Sequence, residues 1–273
     1  MIRIFVDSGS SIKQEEREKY DVEILPLRIL LDGKEYLDGV DLTMEVFYDA
    51  LIKKALFPKT SLPNLLDAER RVKEYINNGD EVIVLTISSG ISGTFNALNL
   101  FFEGYENVKV IDSKTAVGGI KILVHEINKY RNETLDFVVD KINKLIPLIR
   151  VYAVPETLTY LHRGGRLSKV GFAAGTLLRL KPIIELRDKV SVSDKTIGLK
   201  KAKAILVSKL QKCDTNYPIV PSYTYDDANL NDIISASCDE CKNAMIEKDN
   251  IDPAVACHWG PNAFGFIFVE KVK

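Results

Sequence analysis

The sequence predicts an α/β fold of two domains, a mainly parallel sheet in the N-terminal one and a mixed sheet with helices in the C-terminal one. Strand-length apolar runs alternate with helical patterns through the first half, the signature of parallel strands joined by crossover helices. The best-defined run, Val82-Ile83-Val84-Leu85-Thr86-Ile87, is almost continuously apolar, as a strand covered on both faces is. In the second half, Ile183 to Leu186 and Val190 to Val192 flank Arg187-Asp188-Lys189 as a hairpin would, and a hairpin makes the sheet mixed. With 273 residues, 46% of them hydrophobic, the chain is long enough for about two domains. The boundary is expected near Pro147, giving units 1–147 and 148–273.

The elements are predicted in order from periodicity and punctuation. Strands are expected at Ile2 to Val6 and Val22 to Leu31, then a helix at Met44 to Ala55 with Val46, Phe47, Ala50 and Leu51 on one stripe. Phe57-Pro58-Lys59-Thr60-Ser61-Leu62-Pro63 reads as a loop, its backbone restricted by two prolines. A polar helix over Leu65 to Asn77, the Val82 strand, a Ser/Gly turn, a helix from Thr94 to Phe102 and a strand at Val108 to Ile111 follow. Helices over Ala116 to Tyr130 and Leu135 to Ile146 close this half. The second half predicts a strand at Ile149 to Val154, helical segments near Glu156 to His162 and Lys169 to Leu178, and the hairpin. A helix at Leu199 to Leu210, a strand at Ile219 to Tyr223, one long helix over Ala228 to Glu247, and strands at Ala254 to His258 and Phe264 to Val269 complete it.

Charge narrows the partners. Lys and Arg number 37 against 38 Asp and Glu, a formal net charge of -1, without the basic field by which nucleic-acid binders displace counterions. The opening MIRIFVDS lacks the apolar stretch and cleavage site of a signal peptide, and no run approaches the roughly 18 apolar residues of a spanning helix; a cytoplasmic protein is expected. The cysteines Cys213, Cys238, Cys241 and Cys257 are too few and unevenly placed for a disulfide framework, so reduced thiols are expected. Cys238-Asp239-Glu240-Cys241 has the spacing of a metal half-site that Cys257-His258 could complete. It falls inside a predicted helix, however, which favours packing cysteines over zinc.

The sharpest local feature is Ser88-Ser89-Gly90-Ile91-Ser92-Gly93-Thr94, between a buried strand and a helix at the carboxyl edge of a parallel sheet, where open α/β folds bind ligands. Small residues admit a ligand to the backbone, the first helix amides favour an anion, and the hydroxyls of Ser92 and Thr94 can orient a carboxylate or phosphate. Helix capping accounts equally well for the same residues. Thr60-Ser61 is a second hydroxyl cluster. His258 closes the apolar run Ala254-Val255-Ala256-Cys257 ahead of Trp259-Gly260-Pro261-Asn262, so it is expected at a strand end on a sheet rim, where a neutral imidazole can donate to a carboxylate; a structural histidine is the alternative. Asp7-Ser8 and Asp112-Ser113 each end a strand and belong to the same rim, as site-shaping groups or as Asx turns. Leu161-His162-Arg163-Gly164-Gly165-Arg166-Leu167-Ser168-Lys169 is a basic Gly-Gly turn able to attract phosphate or an acidic partner. The apolar Val170-Gly171-Phe172-Ala173-Ala174-Gly175 after it suits a buried helix, a tunnel lining or transient contact with a membrane surface.

Taken in order, Asp7-Ser8, Thr60-Ser61-Leu62-Pro63, the Ser88 to Thr94 turn, Asp112-Ser113, Gly164-Gly165-Arg166-Leu167-Ser168 and His258-Trp259-Gly260-Pro261 resemble the DegV family along nearly the whole chain. Leu62 and Asn64 stand where that family's Thr-Ser-Gln-Pro-Ser loop has Gln and Ser, and Asn262 stands where a Gly follows Gly-Pro. The resemblance implies a two-domain α/β carrier with no cofactor that binds a long-chain fatty acid between its domains and presents it to a separate fatty acid kinase, whose acyl phosphate enters phospholipid synthesis. On that resemblance Thr60 and Ser92 hydrogen-bond the carboxylate, the Gly93 amide assists, His258 completes the polar pocket, and Arg166 faces the kinase and supports docking or phosphoryl transfer.

Two other classes remain open on the residues. Ser92 with His258 and Asp112 could form a hydrolase triad, although Thr94 replaces the final glycine of a G-x-S-x-G elbow. An anion-metabolite or protein-interaction module would use the same helix start.

Overall fold

The computed structural model describes residues 1–168 and 180–272; the helical segment expected at Lys169 to Leu178 lies outside them. The first half runs β1 (Ile2–Asp7), α1 (Gln14–Tyr20), β2 (Val22–Leu25), β3 (Arg28–Leu31), β4 (Lys34–Leu37), α2 (Met44–Tyr48), β5 (Lys59–Ser61), α3 (Leu65–Ile76), β6 (Glu81–Thr86), α4 (Thr94–Phe101), β7 (Val108–Asp112), α5 (Gly118–Lys129) and α6 (Leu135–Leu145). The second half runs β8 (Ile149–Val154), α7 (Thr159–Arg163), β9 (Leu180–Arg187), β10 (Lys189–Ile197), α8 (Leu199–Leu210), β11 (Val220–Tyr223), α9 (Ala228–Ser235), α10 (Asp239–Ala244), β12 (Asp249–Asn250), α11 (Pro253–Trp259) and β13 (Phe264–Val269).

The expected α/β architecture is present. A sheet of order β2-β1-β6-β7 is parallel throughout, so Asp7, Thr86 and Asp112 all end strands on one rim. A sheet of order β10-β9-β8-β13-β11-β12 is antiparallel except for the β11–β12 pair, hence mixed. Three apolar clusters layer these sheets. Phe5, Val82 and Val84 on one face of the parallel sheet pack on α3 and α4 through Ala68, Val72 and Leu98. The opposite face, through Ile4, Val6 and Ile83, joins a continuous core with Ile120 and Leu123 of α5 and with Val151, Leu186 and Ile267 of the mixed sheet. The far face of the mixed sheet, with Ile183 and Phe266, is covered by Leu206 of α8 and Leu230 and Ile233 of α9. Among the described residues no helix is long and apolar enough to cross a membrane.

Several local expectations are corrected. The run Val22 to Leu31 is two strands, not one: Pro26 cannot donate to a ladder, so β2 joins the parallel sheet while β3 turns into a small antiparallel sheet with β4 and β5. Thr60, expected in a loop, is therefore in a strand opposite Ile29. The helix expected over Met44 to Ala55 is α2 followed by a π-helical stretch, Asp49–Lys53. The short helix α1, with no buried residue, and the strand β4 were not anticipated because neither carries an apolar periodicity.

The expected strand at Ala254 to His258 is the helix α11. A short apolar run does not separate strand from helix by periodicity; here Pro253 supplies the fixed φ of a first helical turn, Asp38 Oδ1 accepts from the Ala254 amide at 3.0 Å, and Gly260, at φ 73°, ends the helix. The long helix expected over Ala228 to Glu247 is split into α9 and α10. Ser237 Oγ donates back to the Ile233 carbonyl at 2.7 Å, and Cys238 takes an extended conformation before α10 begins.

Candidate functional site

The turn between β6 and α4 is held from both sides by the rim aspartates. Asp7, fully buried, accepts from the Ile87 amide at 2.7 Å and the Gly9 amide at 2.9 Å, while burial pushes its carboxyl up to about 7. Asp112 Oδ1 accepts from the Ser89 and Lys114 amides, each at 3.1 Å. The turn then closes on itself through Ser92 N donating to Ser88 O at 3.0 Å. Gly90 lies under the tip of the β9–β10 hairpin: a Cβ there would stand 2.2 Å from the Asp188 carbonyl oxygen, and Ser88 Oγ donates to that oxygen at 2.6 Å. The second half of the chain thus packs directly on the Ser/Gly turn of the first.

Ser92 Oγ lies 2.9 Å from Thr94 Oγ1 and accepts from the Thr94 amide at 3.3 Å, so this hydroxyl bonds at the start of α4 from the residue ahead of its Gly93 cap while lining a cavity. Gly93 precedes α4 and is exposed. The cavity, about 40 Å³ in volume, is lined by Thr60, Ser92, Arg166 and His258, with apolar walls that include Leu186 and Trp259. Residues remote in sequence meet there. Thr60 Oγ1 and His258 Nε2 are 3.1 Å apart across 198 positions of chain. Arg166 donates from Nε to the Ile91 carbonyl at 2.9 Å and from Nη1 to the Gly164 carbonyl, which ties the basic Gly-Gly turn to the Ser/Gly turn. Of the residues singled out from sequence, Thr60, Ser92, His258 and Arg166 line one cavity, whereas Gly93, next to Ser92 in the chain, is exposed and not among its lining residues.

The electrostatics suit an anion bound by neutral donors beside one cation. His258 is half-buried; burial, reinforced by the Arg166 charge, pushes its imidazole down to about 3, so it is neutral at physiological pH. Burial likewise lowers Arg166 from its ordinary value, but a guanidinium remains charged. A carboxylate entering the cavity would meet two hydroxyls, an imidazole and the guanidinium field. The triad geometry is not assembled: among the described residues Ser92 Oγ pairs with Thr94, His258 Nε2 with Thr60, and Asp112 with Ser89 and Lys114, and no hydrogen bond joins Ser92 to His258 or His258 to Asp112.

Sequence reasoning missed two supporting groups. Asp38, buried, holds the start of α11 and so sets the position of His258; nothing local marks it. Gly164 is the other: a Cβ there would lie 2.3 Å from His258 Nδ1, and the Gly-Gly pair was the available signal of such a close approach. Gly164 has φ -70°, so alanine is tolerated by the backbone and acts only through its methyl group. Gly164→Ala is expected to push the imidazole away from Thr60 and to lower the unfolding free energy by about 1–3 kcal/mol. Nitrogen NMR shifts of the His258 ring and a urea unfolding curve check it, and unaltered ring shifts would remove the cradle role of Gly164.

A second apolar cavity, of about 20 Å³, shares Ala116, Leu186 and Trp259 with the first and continues beneath the mixed sheet beside Val151 and Ile267. The two cavities share these walls, and the second is lined by residues of the continuous core such as Val151 and Ile267.

Similarity to known proteins extends over nearly the whole chain. The family model described as "Uncharacterised protein, DegV family COG1307" matches residues 1–271. A DegV domain-containing protein of Clostridium acetobutylicum is 33% identical over 282 aligned residues, covering 99% of each chain. Among solved structures, a stearic acid-binding protein from Eubacterium ventriosum superposes with a TM-score of 0.88 at 26% identity, and a fatty-acid-binding DegV family protein from Thermus thermophilus with a TM-score of 0.86 at 26% identity; each comparison covers 99% of both chains.

Proposed function

The chain belongs to the DegV family, and on that footing we propose that it binds a long-chain fatty acid noncovalently as a non-catalytic carrier. The carboxylate is held by Thr60, Ser92, the Gly93 amide and His258, and the acyl tail lies in the apolar interior between units 1–147 and 148–273. The observation that carries this reading is the Thr60–His258 hydrogen bond inside a cavity that also takes in Ser92 and Arg166 and leads into apolar walls. Neutral donors suit a carboxylate, and the mainly apolar walls suit a hydrocarbon. A tail of about 14–18 carbons, at about 0.8 kcal/mol per methylene, offers on the order of 10 kcal/mol before ordering and association costs. The tail supplies affinity and the polar cluster sets its direction.

Cavities of about 40 and 20 Å³ are far below the roughly 300 Å³ of a typical ligand pocket. Binding therefore widens these cavities by moving side chains such as Leu186 and Trp259, which line both. Native mass spectrometry of the purified protein is expected to show a noncovalent adduct that denaturation releases as a fatty acid. Solvent extracts containing only polar metabolites would instead support an anion-metabolite module, and stoichiometric labelling of Ser92 by a fluorophosphonate would support the hydrolase.

The carrier acts in the cytoplasm, with transient membrane-surface contact for exchange, and presents the carboxylate to a separate fatty acid kinase for acyl-phosphate formation. Arg166 supports this step: its guanidinium stands beside the head-group position, able to offset charge that builds on the carboxylate as phosphate is transferred. Arg166→Ala is expected to reduce acyl-phosphate formation with a cognate kinase more than it reduces fatty-acid occupancy. Equal losses in the kinase assay and in extracted lipid would assign Arg166 to head-group binding alone.

A further inference from the structure

We propose that Cys238 and Cys241 form a reversible thiol–disulfide site, independent of the lipid-binding reading and on the opposite face of the mixed sheet from the head-group cavity. The break between α9 and α10 creates it. Had the chain continued as one helix, both cysteines would have sat on a regular helical surface. Instead Cys238 is extended and exposed just before α10, while Cys241 lies in the first turn of α10 and is buried. Their sulfurs are 3.1 Å apart. Cys213, also buried, lies behind Cys241 with its sulfur at 3.5 Å. A disulfide needs about 2.05 Å between sulfurs, an approach of roughly 1 Å that the exposed Cys238 side chain can make by rotating about χ1.

The two thiols are chemically unequal in the way a redox pair requires. The hydrogen bond shared with Cys241 lowers the Cys238 thiol from its ordinary value, whereas burial raises that of Cys241. Cys238 is thus both the more accessible and the more readily ionised sulfur, the one an oxidant meets first. Cys241 and Cys213 belong to the apolar layer with Leu206, Leu210 and Phe268, on the sheet face away from Leu186 and Trp259, so closing the disulfide leaves the two cavities untouched.

With a hydroperoxide as oxidant, the Cys238 thiolate attacks one peroxide oxygen. An S–O bond forms, the O–O bond breaks, and the other oxygen leaves as an alcohol or water after taking a proton. The Cys241 sulfur then attacks the sulfenic sulfur. The S–S bond forms, the S–O bond breaks, and the departing hydroxide takes the Cys241 proton as water. Overall two thiols are oxidised and one peroxide is reduced; a small dithiol reverses the reaction by thiol–disulfide exchange.

The test exposes the reduced full-length protein to hydrogen peroxide, alkylates it under denaturing conditions and maps its peptides. Two of the four cysteines are expected to escape alkylation, in one peptide lighter by two hydrogens that links Cys238 to Cys241, and dithiothreitol restores both. Cys238→Ser is expected to abolish this disulfide without changing fatty-acid occupancy, and Cys241→Ser to leave a sulfenic acid at Cys238 that dimedone traps. If Cys241→Ser fails to fold, the exposed Cys238→Ser variant carries the test. Full alkylation of all four cysteines after peroxide overturns the proposal, as does Cys238 sulfinate beside an alkylatable Cys241.

Discussion

The double variant Thr60→Ala/Ser92→Ala is expected to bind fatty acid at least about 100-fold more weakly than the wild type while keeping its fold. Each hydroxyl donates one charge-assisted hydrogen bond to the carboxylate in the proposed complex, worth about 1.5–3 kcal/mol, and tenfold in affinity is about 1.4 kcal/mol. Removing Thr60 also strips His258 of its partner at 3.1 Å, which frees the imidazole to move. Tail burial is untouched, so binding weakens without vanishing, and the exchange rate rises with it. Ser92→Ala alone has a second effect, because its oxygen accepts from the Thr94 amide at the start of α4; loss of one such hydrogen bond costs about 0.5–1.5 kcal/mol in stability. Displacement of a fluorescent fatty acid gives the affinities, and urea unfolding separates that local bond from the ligand. Wild-type affinity in the double variant would place the head group elsewhere.

The second large effect is on stability against pH. Burial is the main cause that lifts the Asp38 carboxyl from 3.8 to about 7, with Asp252 adding to the rise and Lys13 opposing it. Because the native pKa is the higher one, the folded chain holds a proton that the unfolded chain has released. The stability associated with Asp38 is therefore complete below pH of about 4, falls as pH rises to about 7, and is level above that. Asp38→Asn keeps an oxygen that can accept from the Ala254 amide but does not titrate. The variant should gain on the wild type by up to about 4 kcal/mol across that window. Urea midpoints measured at several pH values check it; curves that stay parallel would show that Asp38 does not titrate there. Asp7 and Asp249, raised to about 7 and about 6, leave a residual slope in both proteins, so the difference between them isolates Asp38.

Much of the candidate site was legible because its parts are local signals. The Ser/Gly turn follows a continuous apolar strand, and the rim pairs Asp7-Ser8 and Asp112-Ser113 end two others. The structure uses both aspartates to hold that turn, beyond the Asx-turn alternative. Thr60 was recognised as a hydroxyl but misplaced in a loop, since three residues opposite β3 carry no periodicity of their own. His258 reads as a strand end because the four apolar residues before it fit either period until Pro253, Asp38 and Gly260 are considered together. The cysteine spacing reads as mid-helix because Ala228 to Glu247 carries one continuous helical pattern; the structure breaks that helix ahead of Cys238, leaving Cys238 extended before α10 and Cys241 in its first turn.

The sequence by itself determined the alternation of strands and helices, the shared rim of the parallel sheet and the hydroxyl residues placed on it, because each follows from side-chain period and backbone preference over a few neighbouring residues. Tertiary structure alone decided that Thr60 meets His258, that Arg166 lines the same cavity, and that this cavity and the apolar one next to it are small. Those outcomes depend on close packing between segments up to 198 positions apart. A pattern within one segment does not encode which other segment will come to lie against it.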